Sequence, residues 1–362
     1  MRVGVPKEIK NREYRVGLTP PSAAELVAAG HEVIVEHQAG RGIDFSDRDY
    51  EKVGATIVDS AAEVFAAADL IVKVKEPQPQ EIAMLEPRHV LFTYLHLAAD
   101  KPQAEALMKS GATCIAYETV TSPSRSLPLL KPMSEVAGRM SIQIGAHYLE
   151  KEQGGRGVLL GGVPGVAPAR VAILGGGVAG LNAAQMAVGQ RADVTIYDIN
   201  NDRLAELDTH FGSQIKTIYA SKAAIAAAVA AAHLVIGAVL VPGAAAPKLV
   251  SRDMLKTMKR GSVAVDIAID QGGCFETSRP TTHDDPVFEE EGVIHYCVTN
   301  MPGAVARTSA FALNNATLPF VMNLANHGAA KAMKMDQNLA NGLNVSKGRI
   351  RHPAVAKAIG IS

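Results

Sequence analysis

Three glycines within residues 171–180, Val-Ala-Ile-Leu-Gly-Gly-Gly-Val-Ala-Gly, have the spacing of a dinucleotide-binding turn. Gly175, Gly177 and Gly180 form G-x-G-x-x-G between a short apolar run and a helix-forming stretch. In that context one glycine makes a tight turn, one lets the backbone approach a pyrophosphate, and one lets the helix pack on the strand. The N–H groups and positive dipole at the start of the helix then bind the phosphates. The alternative is a glycine-rich turn in some other βα unit.

A carboxylate follows this turn at the distance that ribose recognition requires. Asp198 ends the next apolar run, residues 193–198. An acid at this distance accepts hydrogen bonds from the ribose hydroxyls, and its charge repels a 2′-phosphate. The sequence therefore predicts a Rossmann domain that binds NAD rather than NADP.

Four other polar residues lie where predicted strands end, which is where open parallel sheets bind ligands. Arg15 follows the first strand, and Lys75 and His96 close two others. The guanidinium of Arg15 matches a carboxylate with two hydrogen bonds, and Lys75 adds a second positive contact. The imidazole of His96 can take up and release a proton. Asp270, at a strand end in the second half, can hold a water or an ammonia molecule.

Each of these residues also has a purely structural interpretation. Arg15 can belong to a solvated charged loop, and Lys75 to a surface strand end. His96 follows an apolar run and can be a core histidine. Asp270 can cap the loop that follows it.

Strands and helices alternate in a way that positions these residues. In the first part we predict strands at 2–6, 31–37, 55–58, 69–75, 89–96 and 113–118. A helix is predicted to begin after Thr19, with Pro20 in its first position, and to end at Gly30. Further helices are expected at 61–68 and 100–110. Strands separated by helices imply a parallel sheet with right-handed crossovers.

A second βα series follows a connection at 121–132, a helix at 134–150 and a glycine-rich loop at 154–168. Its strands are predicted at 171–174, 192–198, 233–241, 262–270 and 293–300. The tail from about residue 305 is expected to be helical, without another strand, and to return to the first domain. The fold class is thus α/β with two doubly wound domains and a cleft between them. The discontinuous catalytic domain comprises 1–128 and 306–362, and the NAD-binding Rossmann domain comprises 129–305.

Composition excludes several other classes of protein. The 362 residues are 48% hydrophobic, which is ample for two cores, and 36 basic residues balance 36 acidic ones. The protein therefore has no net charge that would attract it to nucleic acids or membranes. The cysteines, Cys114, Cys274 and Cys297, form no C-x-x-C pair, so buried thiols are expected and no metal site is predicted. Without a signal peptide or a long apolar span, a cytoplasmic protein is expected.

Seven stretches resemble the alanine dehydrogenase family, and the resemblance covers essentially the whole chain. They are Gly-Val-Pro-Lys-Glu-Ile (4–9), Arg-Val-Gly-Leu-Thr-Pro (15–20), Val-Lys-Val-Lys-Glu-Pro (72–77), Tyr-Leu-His (94–96), Lys-Pro-Met-Ser-Glu (131–135), Gly-Ala-Val-Leu-Val-Pro-Gly (237–243) and Val-Asp-Ile-Ala-Ile-Asp-Gln-Gly-Gly (265–273). The resemblance implies interconversion of L-alanine with pyruvate and ammonia by hydride transfer from Cα to NAD. It also implies a homohexamer of two-domain subunits.

Carried over by motif, Arg15 and Lys75 bind the substrate, while His96 and Asp270 form an acid–base pair. The implied coenzyme-binding residues are Ser134, Gly175, Gly177, Val178, Ala179, Gly180, Asp198, Arg203, Ser221, Val239, Leu240, Ile267, Ala268, Ile269, Asp270, Arg279, Thr299, Asn300, Met301 and Pro302. The chain departs from the family at Ala220-Ser221, where Ser-Ser is frequent, and at Arg203, where lysine also occurs.

Three alternatives remain open from the sequence. The wider group includes the NAD-binding domain of transhydrogenase, which passes hydride to a partner's NADP and needs no amino-acid pocket. A non-catalytic NAD-binding protein would show no turnover. A saccharopine- or lysine-type dehydrogenase would need a deeper pocket.

Overall fold

The computed structural model describes residues 1–239 and 246–360, which divide into two units. The first unit comprises residues 1–133 and 305–362, and the second comprises residues 134–304. Each unit is built on its own largely parallel sheet, as predicted for the α/β class.

The first unit begins with six strands and five helices in alternation. The strands are β1 (Arg2–Val5), β2 (Glu32–Glu36), β3 (Thr56–Val58), β4 (Leu70–Val72), β5 (Val90–Thr93) and β6 (Thr113–Ala116). The helices are α1 (Pro20–Ala28), α2 (Asp47–Glu51), α3 (Ala61–Ala67), α4 (Pro79–Ile82) and α5 (Lys101–Ser110). As predicted, Thr19 is the N-cap of α1 with proline first, and Gly30 follows the helix at φ +83°.

The second unit repeats this alternation. Its helices are α6 (Lys131–Tyr148, which starts in the first unit), α7 (Val178–Gly189), α8 (Asn201–Phe211), α9 (Lys222–Ala231) and α10 (Arg252–Leu255). Its strands are β7 (Arg170–Leu174), β8 (Asp193–Asp198), β9 (Ile215–Tyr219), β10 (Leu234–Gly237), β11 (Val263–Asp266), β12 (Val287–Glu290) and β13 (Val293–Tyr296). Strands β9 and β12 were not predicted, because polar and exposed residues interrupt their apolar pattern.

The chain then returns to the first unit. It forms α11 (Ala306–His327), α12 (Ala329–Met335), α13 (Gln337–Ala340), β14 (Leu343–Ser346), β15 (Arg349–Ile350) and α14 (Pro353–Ile359). The expectation of a tail without strands was wrong, because β14 pairs antiparallel with β6 and turns back into β15. These strands are too short to show a period of two in the sequence.

Both sheets have the strand order of doubly wound folds. The first sheet runs β15-β14-β6-β5-β4-β1-β2-β3, and the second runs β12-β13-β11-β10-β7-β8-β9. Without the antiparallel edge strands, each order is 3-2-1-4-5-6. The order reverses between β1 and β4 in the first unit and between β7 and β10 in the second. Ligands bind at such switch points, outside the carboxyl ends of the strands.

Several predicted strands are shorter in the structure. Strand β4 ends at Val72, although the apolar pattern extends to residue 75, and β5 ends at Thr93, three residues before His96. The polar residues at these ends therefore lie in loops rather than on the sheet. No helix within 1–239 or 246–360 has the length and apolar character needed to cross a membrane.

Candidate active site

The switch point of the first unit is flanked by the loops after β1 and β4. These loops carry Arg15 and Lys75. They pack tightly, since a Cβ on Gly17 would collide with the carbonyl oxygen of Val72. The fold thus brings two cations, predicted from separate stretches of sequence, to one edge of the sheet.

Arg15 is not part of a solvated loop, because only 2% of its surface is exposed. Glu13 holds its guanidinium through Nε (2.6 Å) and Nη2 (2.5 Å). The same carboxylate accepts from the Arg15 backbone N–H at 3.0 Å. Nη1 donates to Sδ of Met133 at 3.0 Å, and a thioether is a weak acceptor. Glu13 therefore fixes the plane of a buried cation and directs Nη1 towards Met133.

The Arg15–Glu13 pair predicts a loss of stability in acid. Burial alone would raise the pKa of Glu13, but the hydrogen bonds and charge of Arg15 lower it from 4.5 to about 2. A depressed carboxyl pKa stabilises the fold above the unfolded-state value and loses that effect as pH falls towards 2. We expect this residue to contribute about 3 kcal/mol at neutral pH, lost between about pH 4.5 and 2.

The measurement is the free energy of unfolding from pH 7 to 2.5, for the wild type and for the double variant Glu13→Leu/Arg15→Met. We expect this double variant to stay folded, because apolar groups of similar volume often replace a buried ion pair without loss of stability. Its pH profile should be flatter than that of the wild type. Parallel profiles would contradict the assignment.

Lys75 is half-buried rather than a surface strand end. Its charge lowers the pKa of Glu76 below the ordinary value, against the opposing effect of burial. The carboxylate of Glu8 accepts from the backbone N–H groups of Val74 (2.6 Å) and Lys75 (3.3 Å). A carboxylate from the loop after β1 thus holds the backbone that carries Lys75.

Lys73, which the sequence analysis did not single out, anchors Glu8 in turn. Its ammonium is fully buried and binds Glu8 (3.2 Å) and Glu81 (2.7 Å). Burial disfavours the charged form, but the two carboxylates raise the pKa of Lys73 above its ordinary value. The lysine therefore stays protonated. It directly follows the last residue of β4, although the alternating sequence pattern predicts a strand that continues to residue 75.

His96 is exposed rather than a core histidine, and its backbone adopts the left-handed conformation (φ +50°). Its imidazole stacks on the ring of Tyr94, with ring centres 5.7 Å apart and planes 8° from parallel. The Tyr94 hydroxyl donates to the carbonyl of Leu129 at 2.6 Å and lies within electrostatic reach of Arg15. Tyr94 therefore links the candidate proton carrier to the buried guanidinium.

The glycine turn of the second unit has the predicted geometry. Gly175 has φ +103°, and a Cβ there would lie 2.8 Å from the carbonyl oxygen of Ala238. A Cβ on Gly180 would collide with the carbonyl oxygen of Gly175, so helix and strand pack closely. A Cβ on Gly177 would meet nothing within 4 Å. Gly177 is the N-cap of α7, so open space lies where a pyrophosphate would meet the helix N-terminus.

Asp198 lies beside this turn at the end of β8. Its carboxylate accepts from the backbone N–H groups of Gly176 (2.7 Å) and Asn200 (2.9 Å). Arg203 donates from Nε to the carbonyl oxygen of Gly176 at 2.6 Å. Ser221 is exposed and caps α9, accepting from the Ala224 N–H at 3.1 Å. The carboxylate at the end of β8, the cation in the first turn of α8 and the hydroxyl that caps α9 thus follow the carboxyl ends of β8 and β9.

The start of α7 also packs against α6. A Cβ on Gly138, one helical turn after Ser134, would collide with the carbonyl oxygen of Ala179. Val239, after β10, is half-buried, whereas Leu240 lies outside the described residues.

Asp270 is exposed and lies in the 3₁₀ turn Ile267–Gln271 directly after β11. Ile267, Ala268 and Ile269 precede it in the same turn. The residue that caps this turn is Asp266, which is 2% exposed and accepts from the N–H groups of Ala268 (3.1 Å) and Cys274 (2.9 Å). Asp266 pairs with Gly237, and Gly237 with Leu174, so this turn and the glycine turn start at the same edge of the sheet.

Four of the remaining predicted coenzyme residues follow β13, and the fifth, Arg279, precedes β12. Thr299, Asn300, Met301 and Pro302 form a bend into a short 3₁₀ turn, and Asn300 is left-handed at φ +57°. The Asn300 carbonyl accepts from Nε2 of His283 at 3.3 Å. Arg279 is exposed, and its guanidinium lies 4.2 Å from the ring centre of Phe288 on the edge strand. A packing contact therefore accounts for Arg279, and its coenzyme role stays a prediction.

The carboxylates that hold these loops were not among the predicted site residues. Each accepts backbone N–H groups next to a candidate residue: Glu8 beside Lys75, Glu13 beside Arg15, Glu118 beside His96, and Asp266 before Asp270. Two of them had a visible signal, because an acid stands two residues before Arg15 and four before Asp270. Glu8 and Glu118 accept hydrogen bonds from loops that are at least 22 residues away in sequence, so no local sequence pattern indicated them.

Comparison with known proteins covers the whole chain. Residues 4–137 match the model "Alanine dehydrogenase/PNT, N-terminal domain", and residues 141–353 match the corresponding C-terminal domain. The alanine dehydrogenase of Halomonas elongata is 59% identical over 361 residues, 100% of this chain and 97% of the relative. That of Bacillus subtilis is 55% identical over 99% of this chain and 95% of the relative.

Solved structures agree with the sequence relatives. An L-alanine dehydrogenase structure superposes with a TM-score of 0.96 at 56% identity, covering 99% of both chains. A transhydrogenase from Sinorhizobium meliloti superposes with a TM-score of 0.81 at 28% identity, covering 98% of this chain and 100% of the other. The predicted fold class and family are confirmed, and the chain belongs to the alanine dehydrogenase/PNT family.

Proposed function

We propose that this protein is an NAD-dependent oxidoreductase that converts L-alanine reversibly to pyruvate and ammonia. The observation that carries the proposal is the cluster at the switch point of the first unit. There Glu13 binds the buried guanidinium of Arg15, the charge of Lys75 acts on the same carboxylate, and the exposed imidazole of His96 stacks on Tyr94. The two cations can bind a small carboxylate, and the imidazole can transfer a proton beside it.

NAD fits the second unit. The space beside Gly177 would receive the pyrophosphate, and Asp198 would accept from the adenosine ribose. When bound, NAD accepts the hydride from Cα of alanine. The dehydrogenase names of relatives with 53–59% identity support the same coenzyme-dependent chemistry.

Arg15 binds the substrate carboxylate through its guanidinium, whose Nη1 donates to the weakly accepting Sδ of Met133 at 3.0 Å. A carboxylate replaces the thioether as a far stronger acceptor. Lys75 adds a positive charge next to Glu13 and Glu76, which are already ionised in its presence. The two cations together orient Cα of the substrate.

His96 moves the proton in the hydrolytic half of the reaction. Loss of hydride from Cα leaves a substrate iminium ion, and water adds to its carbon while His96 takes a proton from that water. His96 returns the proton to the amino group and then takes the hydroxyl proton as the C–N bond breaks, so ammonia leaves and pyruvate remains. Asp270 holds the attacking water and stabilises the iminium cation by its charge.

The domain roles and the assembly belong to the same proposal. The discontinuous unit binds the substrate, and the unit with the glycine turn binds NAD. Family resemblance supports a cytoplasmic homohexamer. Analytical ultracentrifugation tests the assembly, and a mass of about six chains of 38.0 kDa is expected.

The test of activity is a single-protein assay. Pyruvate plus ammonium should oxidise NADH, and L-alanine should reduce NAD. A transhydrogenase domain would oxidise NADH only with a partner that holds NADP, so absence of turnover with pyruvate would favour that alternative. Larger oxo acids in the same assay separate a saccharopine-type pocket from one for alanine.

We expect Asp198→Ala to weaken NADH binding and to relax the exclusion of NADPH. A lost hydrogen bond to a charged group is worth about 1.5–3 kcal/mol, so the Kd for NADH should rise about 10- to 100-fold. The Kd for NADPH should fall, because Arg203 then faces the 2′-phosphate without the carboxylate. Fluorescence titration measures both constants. Asp202→Ala, an exposed acid in the first turn of α8, is the matched control. Equal NADH affinities for wild type and Asp198→Ala would refute the ribose role.

A further inference from the structure

We propose that Glu118 is a positioning residue for His96. Its carboxylate holds the backbone of residues 95–96 in the left-handed turn that presents the imidazole. The inference rests on the proposed role of His96 in proton transfer, and it assigns no contact between Glu118 and the substrate.

Strand register brings Glu118 to this place. It lies in the turn Tyr117–Thr119, directly after β6, and Thr93 of β5 pairs with Ala116 of β6. The loops that follow the two strands therefore begin side by side at the carboxyl edge of the sheet. Oε1 of Glu118 accepts from the His96 N–H at 2.6 Å, and its two oxygens accept from the Leu95 N–H at 3.3 and 3.2 Å.

The conformation of His96 explains why such an anchor is needed. Its backbone angles, φ +50° and ψ 34°, lie in the left-handed region, which is unfavourable for residues with a Cβ. A charged acceptor makes stronger hydrogen bonds than a neutral one. Nε2 of Gln103 donates to the carbonyl oxygen of Leu95 at 2.7 Å. Both the N–H and the carbonyl group of Leu95 are therefore held by side chains.

The anchored turn sets the direction of the imidazole. His96 is exposed, and its one ring contact in the described part of the chain is the stack on Tyr94. With the acceptor removed, the turn can relax towards ordinary φ values, and the imidazole leaves Tyr94. A displacement of about 1 Å at a reacting group can lower a rate about 100-fold.

The experiment compares Glu118→Ala with Glu118→Gln in the complete enzyme. We expect kcat for pyruvate amination to fall about 10- to 100-fold in Glu118→Ala, with the KM for pyruvate and the Kd for NADH within about threefold of wild type. Glu118→Gln keeps an acceptor oxygen and should retain most of kcat. Asp49→Ala removes another carboxylate that accepts a backbone N–H, that of Ser46 at 2.9 Å, and should leave kcat unchanged.

A second comparison separates positioning from general loss of structure. In a His96→Ala background, adding Glu118→Ala should leave the residual rate unchanged, because the two residues act through one step. A further fall in that background would overturn the proposal. So would wild-type kcat in folded Glu118→Ala, or an equal loss in Glu118→Gln. If Glu118→Ala does not fold, the outcome with Glu118→Gln decides: retained kcat supports the acceptor role, and a loss above about tenfold refutes it.

Failure of the function itself would look different. It would appear as absence of alanine–pyruvate turnover in the wild type, or as near-normal kcat in His96→Ala. Failure of the positioning role would leave those two results intact.

Discussion

His96→Ala should lower kcat for both directions of alanine–pyruvate turnover by about 10²–10⁴, the usual worth of a general acid–base group. NADH binding should stay intact, because His96 belongs to the first unit and the glycine turn to the second. The measurements are steady-state rates with pyruvate, ammonium and NADH, and a fluorescence titration of NADH.

Backbone strain must be separated from the chemistry at this position. His96 has a positive φ, where alanine is strained and glycine is not. His96→Gly should therefore match His96→Ala in kcat while unfolding at a higher temperature. His37→Ala, which removes an exposed histidine paired with Asp47, should leave kcat unchanged. Near-normal kcat in both His96 variants would refute its role as proton carrier.

Arg15→Lys should raise the KM for pyruvate about 10- to 100-fold, because a charged hydrogen bond from the guanidinium worth about 1.5–3 kcal/mol is lost while the positive charge remains. Lysine is the variant of choice, since Arg15→Ala leaves Glu13 buried without its counter-ion. Such a broken buried pair costs about 3–5 kcal/mol of stability. The KM for NADH should not change.

Arg12→Lys provides the matched control. Arg12 lies in the same loop, but it is exposed, and its Nη1 donates to the Tyr14 hydroxyl at 3.2 Å. Its replacement should leave the KM for pyruvate unchanged. An unaltered pyruvate KM in Arg15→Lys would assign the carboxylate to another group, and Lys75→Ala would be the next variant to measure.

The local chemistry of the coenzyme turn was predictable from sequence. G-x-G-x-x-G after an apolar run requires the left-handed Gly175 and the close approach at Gly180, and both are present. Asp198 could be located because the motif and the following strand lie within one βα unit. Short-range patterns of this kind depend on steric limits that neighbouring residues impose.

The environment of the other candidates could not be read in the same way. The charged stretch around Arg15 has the composition of a solvated loop, yet its guanidinium is buried against Glu13 and Met133. Met133 is 118 residues away along the chain. The burial of Arg15 against a residue so distant in sequence depends on the packing of the whole unit. The composition of the loop therefore cannot predict it.

The sequence by itself therefore determined the residue types at the strand ends, the α/β class and the NAD-binding turn. Only the tertiary structure decided which strands lie side by side, where β4 ends around Lys73, and how β14 joins β6. It also decided that Glu118 reaches the turn of His96. The physical reason is that hydrogen bonds between strands and pairs of buried charges join residues far apart in sequence, whereas steric and periodic patterns act over a few neighbours.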